Sequence, residues 1–303
     1  MNNSLLNMAL QLSVQDMFSS AWFSNALMNK VWTEAMRSSV NGLIRKTGGA
    51  DLLGAALGGS LRGDAAMLRQ ASSNVAEAQS MMHMAASAVG NIASQLKEAH
   101  KLADNFLSAV AGMDPNDPND RPLYRSLYDK FQAQYETCSK NIDSIIKNTV
   151  YNGMALLDGD AWDKAWNSGD KRLSVTRDAG NNPLAASVHI QAGDSGFPLT
   201  FSNMAAEFAN VARHPLINNP GWTPRQDVLM ELSSLQNSAQ NLADLYAGRA
   251  GSLQHQATSL QSQAKILEEA AAQRAKTPAP MNPENILLNL ILRDSGSMFS
   301  GKG

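Results

Sequence analysis

Apolar residues recur every seven positions between Leu68 and Val110, and this heptad repeat constrains the fold more than any other feature of the chain. One position of the repeat holds Leu68, Val75, Met82, Val89, Leu96, Ala103 and Val110, and the other holds Ala71, Ala78, Ala85, Ile92, Ala99 and Phe106. A sustained period of about 3.5 residues favours helices packed side by side at shallow angles. We therefore predict a helix over residues 61–112, roughly 75 Å long at a rise of about 1.5 Å per residue.

A polar segment with two prolines, residues 114–120, ends this helix. Proline cannot continue a helix interior, and the neighbouring Asp and Asn side chains bond locally to turn backbone. The segment lacks the Gly and Glu of an EF-hand calcium loop, so we interpret it as a plain connection. A second helix is predicted over residues 122–148, with an apolar stripe that faces the first helix: Tyr124, Tyr128, Phe131, Tyr135, Cys138, Ile142 and Ile145.

Residues 223–226 have the pattern of a helix start. Thr223 can cap the helix, Pro224 suits its first position, and Gln226 can return a hydrogen bond to the cap. A third helix is predicted over residues 224–274, before Pro278, Pro280 and Pro283 end regular helix. Its seam would hold Leu232, Leu235, Ala239, Leu242, Tyr246, Leu253, Ala257, Leu260, Ala264 and Leu267.

The stretch between the second and third helices has a different character. Residues 173–176 and 187–190 alternate like short strands on either side of the turn-forming residues 180–183. Pro198, Pro215 and Pro220 indicate turns and loops. We predict a small β-hairpin insert here.

Both ends of the chain contain apolar stretches without an obvious partner in the same chain. Gly42, Gly48, Gly49, Gly54, Gly58 and Gly59 predict a flexible connector between the N-terminal stretch and the first helix. We interpret both ends as self-assembly segments, with these contact residues: Phe18, Trp22, Phe23, Leu27, Trp32, Ile286, Leu287, Leu288 and Leu290.

Together these patterns predict a mainly α fold, a long coiled-coil-like helical bundle formed by the N- and C-terminal regions with a small β-hairpin insert. The predicted organisation is an N-terminal assembly segment at 1–45 and the N-terminal part of the bundle at 46–154. A β/loop insert at 155–222, the C-terminal part of the bundle at 223–275 and an assembly tail at 276–303 follow.

Composition and motifs favour a structural protein over an enzyme. The net charge of −2 gives no basic field for nucleic acid, and no apolar run approaches the roughly 20 residues of a membrane span. The single cysteine, Cys138, reads as a buried hydrophobe. Residues 193–196 spell the G-D-S-G of trypsin-like proteases, which we interpret as a chance match because the strand content is far too small. We expect no catalytic residues, no metal and no cofactor.

The segment that follows the second helix carries a family resemblance. Thr149, Tyr151, Asn152, Gly153, Leu156 and Leu157 match the T-x-[FY]-N-G-x-x-L-L turn of bacterial flagellins, and Asn-Gly favours a type I′ turn with positive φ at both residues. Three further segments resemble flagellin in the same order. They are a first long helix beginning at residues 70–74, a strand and turn at 190–196, and a C-terminal ending at 283–290.

The resemblance implies a structural subunit of the bacterial flagellar filament, located outside the cell and active in motility. Its partners would be further copies of itself in a helical filament and, by analogy, the flagellar export apparatus and a chaperone. Two departures are the missing Asn- and Thr-rich opening signature and the short stretch between Arg274 and Pro283. They keep open a hook-filament junction or minor secreted flagellin-like protein, and a cytosolic coiled-coil adaptor remains a third reading.

Flagellins present an Arg and a Leu on the first long helix to an innate immune receptor. In this sequence Glu98 replaces the Arg and Leu102 retains the Leu. Because an acid replaces the base, we do not expect receptor recognition to carry over.

Overall fold

The computed structural model describes residues 50–276, except residues 171, 194, 209–210, 212–215 and 219–221. Over this part the protein is mainly helical, with small antiparallel sheets. The described helices are α1 (Ala50–Ala109), α2 (Arg121–Asn148), α3 (Gly159–Asn167) and α4 (Val228–Lys276). The nine residues that we predict for self-assembly lie outside the described part.

The strands form three small sheets within the described residues. A two-stranded hairpin follows α2, a three-stranded sheet follows α3, and a second two-stranded hairpin precedes α4. In the three-stranded sheet β4 lies between β3 and β5, so β5 is an edge strand. The strands are β1 (Val150–Tyr151), β2 (Met154–Ala155), β3 (Leu173–Arg177), β4 (Pro183–Ala192), β5 (Ser195–Ser202), β6 (Ile217–Asn218) and β7 (Thr223–Pro224).

The heptad seam of α1 is buried throughout. Every residue of the two predicted positions is no more than 4 % exposed, including Leu68 near one end and Val110 at the other. The predicted long helix is therefore confirmed, with its ends at Ala50 and Ala109 rather than at 61 and 112.

The described residues fall into two compact units, and α1 and α4 each contribute to both. In the unit that contains residues 252–276, α1 and α4 run antiparallel. Ser72 Oγ donates a hydrogen bond to the Ala257 carbonyl at 2.8 Å, and Arg69 pairs with Glu268 at 2.5 Å. Between residues 65 and 78, the buried residues of α1 are Ala65 and four seam residues: Leu68, Ala71, Val75 and Ala78. Such a narrow stripe is typical of a two-helix coiled-coil contact.

The other unit buries a wider face of α1, against α2. Phe106 is fully buried, and its ring centroid lies 6.0 Å from that of Tyr124 and 6.1 Å from that of Phe131. Asn141 donates a side-chain hydrogen bond to Gln95 at 3.1 Å. Together with the contact between Phe106 and Tyr124, this bond shows that the two helices run antiparallel. The predicted stripe of α2 is confirmed in part, since four of its seven residues are buried: Tyr124, Tyr135, Cys138 and Ile142. Tyr128 and Phe131 are half-buried with their rings against Phe106, and Ile146 rather than Ile145 is the last buried residue of the helix.

The predicted β-hairpin is also present. Leu173 pairs with Val188 and Ser174 with Ser187 in an antiparallel register. Asn181, in the predicted turn, has φ +63°. Asn tolerates this left-handed conformation better than most residues, which explains its place in the turn.

The prediction of a glycine-rich flexible connector is wrong for the described glycines, because α1 passes through Gly54, Gly58 and Gly59. Extending an existing helix adds one hydrogen bond for each residue fixed, and the intervening Ala and Leu are strong helix formers. These gains offset the cost of glycine, about 1 kcal/mol each. Gly42, Gly48 and Gly49 lie outside the described residues.

The predicted helix start at Thr223 and Pro224 is wrong, since these residues form β7 and α4 begins at Val228. Thr223 pairs with Asn218 and Pro224 with Ile217, and the Arg225 N–H donates to the Leu216 carbonyl at 3.0 Å. Backbone pairing with β6 thus takes the place of a local cap. Proline is compatible with β7 because a two-stranded hairpin leaves one side of each strand unpaired.

Candidate functional site

The turn after α2 is built by Asn152 and Gly153. Tyr151 pairs with Met154 across it, so it is a two-residue hairpin loop. Asn152 has φ +47° and Gly153 has φ +76°, which confirms the predicted positive φ at both positions. These values fit the type I′ turn, whose twist matches that of the flanking strands.

The end of α2 and the hairpin form one hydrogen-bonded unit. The Thr149 N–H and Oγ1 both donate to the Ile145 carbonyl, at 3.1 and 2.6 Å, and so close the last turn of the helix. The Leu156 N–H then donates to the Thr149 carbonyl at 2.9 Å. Leu156 and Leu157 are fully buried, so the leucine pair of the motif anchors the hairpin to the core.

Helix α3 was not predicted from the sequence. The end of α2, the β1–β2 hairpin and α3 together form what we call the junction. Asp158 Oδ1 accepts the N–H of Asp160 at 3.0 Å and that of Ala161 at 3.3 Å, a typical N-cap. One turn later Trp162, 1 % exposed, donates its indole N–H to the Ala155 carbonyl at 2.8 Å. The signal that could have revealed α3 is Asp158 placed four residues before a large apolar side chain.

Asn203 ties the junction to the three-stranded sheet. Its Oδ1 accepts the N–H of Gly159 at 3.1 Å and that of Ala205 at 3.0 Å, and its Nδ2 donates to the Pro183 carbonyl at 2.7 Å. A Cβ added to Gly159 would lie 2.2 Å from the Asn203 Nδ2, so this glycine is required for the close approach. Sequence reasoning missed Asn203 because its partners are distant in the chain.

Ion pairs surround the junction on its outer side. Arg177 Nη2 pairs with Asp163 at 2.5 Å, which joins β3 to α3. Arg172 contacts both carboxylate oxygens of Asp170 and donates to the Asn152 carbonyl at 3.3 Å. The side-chain hydrogen bond from Arg172 holds the pKa of Asp170 below its usual range. The Arg177–Asp163 pair is part-buried. The Arg172 side chain is 55 % exposed, so its pair with Asp170 contributes little to stability.

An aromatic cluster lies beside the β6–β7 hairpin. Trp222 has φ +55°, rare for a bulky residue, and its carbonyl accepts the Tyr124 hydroxyl at 2.6 Å. The Tyr128 ring meets the Trp222 ring edge-on at 5.3 Å, and the Arg125 guanidinium lies 5.0 Å above it. These contacts hold the strained backbone in place.

The titratable groups buried in these elements have structural roles. Burial raises the pKa of Tyr135 far above its ordinary value, and its hydroxyl donates to the Val211 carbonyl at 3.2 Å. Burial likewise raises the pKa of the buried Cys138 thiol, which favours its protonated form. Both groups pack as core residues and are poorly placed for proton transfer.

Gly193 of the protease-like G-D-S-G segment lies in the β4–β5 turn, and Ser195 and Gly196 begin β5. Gly193 has φ +71°, and His189 nearby on β4 is exposed. Asp194 and the Ser195 side chain lie outside the description. Within the described residues, no group of three or more His, Cys, Asp or Glu is placed to hold a metal ion. None of the helices in that part of the chain is long and apolar enough to cross a membrane.

The two residues aligned with the receptor contact lie on α1. Glu98 is exposed and approaches Lys101 at 3.8 Å, whereas Leu102 is only 8 % exposed. A buried leucine is poorly available to another protein. The environment of Leu102 thus adds to the argument from Glu98 against receptor recognition.

A scan of the chain against protein-family models finds no match, and a search of the curated proteins finds none either. The family resemblance therefore rests on the four sequence motifs alone.

The Asn152–Gly153 turn allows a direct test. Replacing Gly153 with Val should lower the free energy of unfolding by about 1–3 kcal/mol, because a β-branched residue is strained at positive φ. A Cβ at Gly153 meets nothing within 4 Å, so the cost comes from the backbone and not from a clash. Thermal unfolding followed by circular dichroism measures the change.

Gly153→Asn is the matched control, since Asn adds a side chain of similar size yet tolerates positive φ. It should retain most of the stability that Gly153→Val loses. If Gly153→Val left the thermal stability unchanged while Ser195→Ala lowered it, the result would overturn the structural interpretation and favour an enzymatic one.

Proposed function

We propose that this protein is a structural subunit of an extracellular bacterial filament of the flagellar type, which polymerises through its two terminal segments. The observation that carries the proposal is the positive-φ Asn152–Gly153 turn, placed directly after an amphipathic helix that packs antiparallel on a heptad-patterned helix. The turn occupies the place that its motif has in the flagellin family.

The packing of α1 and α4 supports a bundle formed by the N- and C-terminal regions. The bonds from Ser72 to Ala257 and from Arg69 to Glu268 join parts of the chain nearly two hundred residues apart. Such a pairing brings the two ends of the described chain to one region. Apolar segments that continue from both ends could then act together in assembly.

Assembly is assigned to the terminal segments because the heptad seam of α1 is already buried. The aromatic residues near Trp22 and the apolar run from Ile286 to Leu290 are the proposed contacts. A filament requires heterologous contacts that do not close into a ring. We propose further copies of the chain as the main partner, with an export apparatus and a chaperone by analogy, and neither a cofactor nor a catalytic role.

Two alternatives follow from particular observations. The atypical terminal sequences favour a hook-filament junction or minor flagellin-like protein, which would share the helices but add few copies. The coiled-coil seams alone would also suit a cytosolic adaptor. The adaptor is disfavoured because seam residues such as Val89 and Leu96 are fully buried and offer no free surface to a partner helix.

Location in the cell tests the proposal. Immunogold electron microscopy of intact cells should show the protein along surface filaments. Label confined to the filament base would indicate the junction protein, and label only inside permeabilised cells would contradict the proposal in favour of the adaptor.

A further inference from the structure

The outer edge of β5 is covered by two side chains of α4. The Ser202 N–H donates to the Tyr246 hydroxyl at 2.8 Å, and Arg249 Nη2 donates to the Pro198 carbonyl at 3.1 Å. Residues 198 and 202 have the same parity along the strand, so their backbone groups point to the same side. Residue 203 has the opposite parity, and its N–H donates to the Leu184 carbonyl of β4. The side of residues 198 and 202 therefore faces away from β4, which explains how Pro198 can lack an N–H without breaking the sheet.

Both covering side chains are buried. Tyr246 is 3 % exposed and Arg249 is 8 % exposed. An uncovered strand edge is a template for pairing with another chain, and natural proteins protect such edges with helices or loops. The turn of α4 from Tyr246 to Gly251 is therefore the strap that covers the edge of β5.

Both glycines of α4, Gly248 and Gly251, lie within this strap. A Cβ added to either would meet nothing within 4 Å, and neither has a positive φ. Sterics and backbone conformation therefore do not require glycine at these positions. Gly153 and Gly159 differ, since the first needs positive φ and the second needs space beside Asn203.

Glycine inside a helix weakens it. Relative to alanine, each such glycine lowers the helix equilibrium constant by about fivefold. The strap thus concentrates two weakening residues in the turn that carries the anchors of β5. The same turn holds the side chains that cover β5.

We propose that the strap is a conformational device in which local opening of α4 at Gly248 and Gly251 releases the edge of β5. In the closed state Tyr246 and Arg249 occupy the edge groups. In the open state the Ser202 N–H and the Pro198 carbonyl lose these side-chain partners, and the strand edge is uncovered. The device is independent of the proposed filament function.

Native-state hydrogen exchange of the full-length protein tests the device. The Ser202 amide should exchange through an opening that is insensitive to low denaturant, because local opening exposes little new surface. Gly248→Ala combined with Gly251→Ala should slow this exchange by about 5- to 25-fold. Tyr246→Phe, which removes only the acceptor hydroxyl, should accelerate it by at least about fivefold.

Gly90→Ala is the matched control. Gly90 lies in α1 within the same compact unit, and its added Cβ also meets nothing within 4 Å. Under the proposal this variant leaves Ser202 exchange within about twofold of the unaltered protein, since a remote turn does not control a local opening. If Gly90→Ala slowed Ser202 exchange as much as each substitution of the double variant does, exchange would require opening of the whole unit. That result would overturn the proposal. Unchanged exchange in the double variant would also overturn it.

Discussion

Replacing Asn203 with alanine is expected to lower the free energy of unfolding by about 3–5 kcal/mol. The substitution leaves the N–H groups of Gly159 and Ala205 and the Pro183 carbonyl without the partner they have in the structure. Asn203 is 8 % exposed, so water has little access to replace these bonds. Chemical denaturation followed by circular dichroism measures the loss.

Asn203→Asp separates the two kinds of hydrogen bond. The carboxylate still accepts from Gly159 and Ala205 but cannot donate to the Pro183 carbonyl at pH 7. Protonation restores a donor, so the folded-state pKa of the new carboxyl should be raised, and the stability gained from the proton is present at acidic pH and lost as pH rises. The difference in the free energy of unfolding between the variant and the unaltered protein should therefore become smaller as the pH falls from 7 to about 4. If Asn203→Ala left the stability unchanged, the result would contradict the assignment of Asn203 as the residue that connects the junction to the three-stranded sheet.

Removing residues 277–303 is expected to abolish polymerisation while leaving the helical signal of the remaining chain largely intact. The described helix α4 ends at Lys276, so the truncation spares it. The removed tail contains the apolar run from Ile286 to Leu290, assigned to contacts between subunits. Sedimentation of polymer measures the first effect and far-ultraviolet circular dichroism the second.

A substitution control separates loss of contacts from loss of length. Changing Ile286, Leu288 and Leu290 to Ser in the full-length chain should also prevent polymerisation, whereas Asn285→Ser should not. Normal polymer yield from the truncated chain would remove the tail from the account of assembly.

The sequence was most informative where its pattern was long and periodic. Each buried residue of the α1 seam from Leu68 to Val110 was predicted. A seven-residue repeat of apolar residues is compatible with a helix that buries one face and with few other structures. The Asn152–Gly153 turn was predictable for a different reason. Few residue pairs accept positive φ twice in succession, so the local sequence determines the local geometry.

Other parts of the junction depend on contacts that no local pattern encodes. Asn203 contacts Gly159 and Pro183, which are 44 and 20 residues away in the chain. Trp222 adopts positive φ although this conformation is unfavourable for a bulky residue. Tyr124, whose hydroxyl donates to the Trp222 carbonyl, is 98 residues away in the sequence. Long-range partners of this kind emerge only once the helices and sheets are in place.

The two wrong predictions share a cause. The Thr223–Pro224 pattern suits a helix start, and the glycines from Gly54 to Gly59 suit a connector, but each preference is worth only about 1 kcal/mol per residue. Pairing with β6 outweighs the first, and extension of a well-packed helix outweighs the second. Tertiary structure decides wherever local preferences are this weak.

Negative-stain electron microscopy of the purified full-length protein, beside the chain truncated after Lys276, tests the central claim most directly. The proposed function predicts long filaments of uniform diameter from the full-length protein under conditions that promote polymerisation, and none from the truncated chain. Full-length protein that remains monomeric, or forms only closed oligomers of fixed size, would contradict a filament subunit.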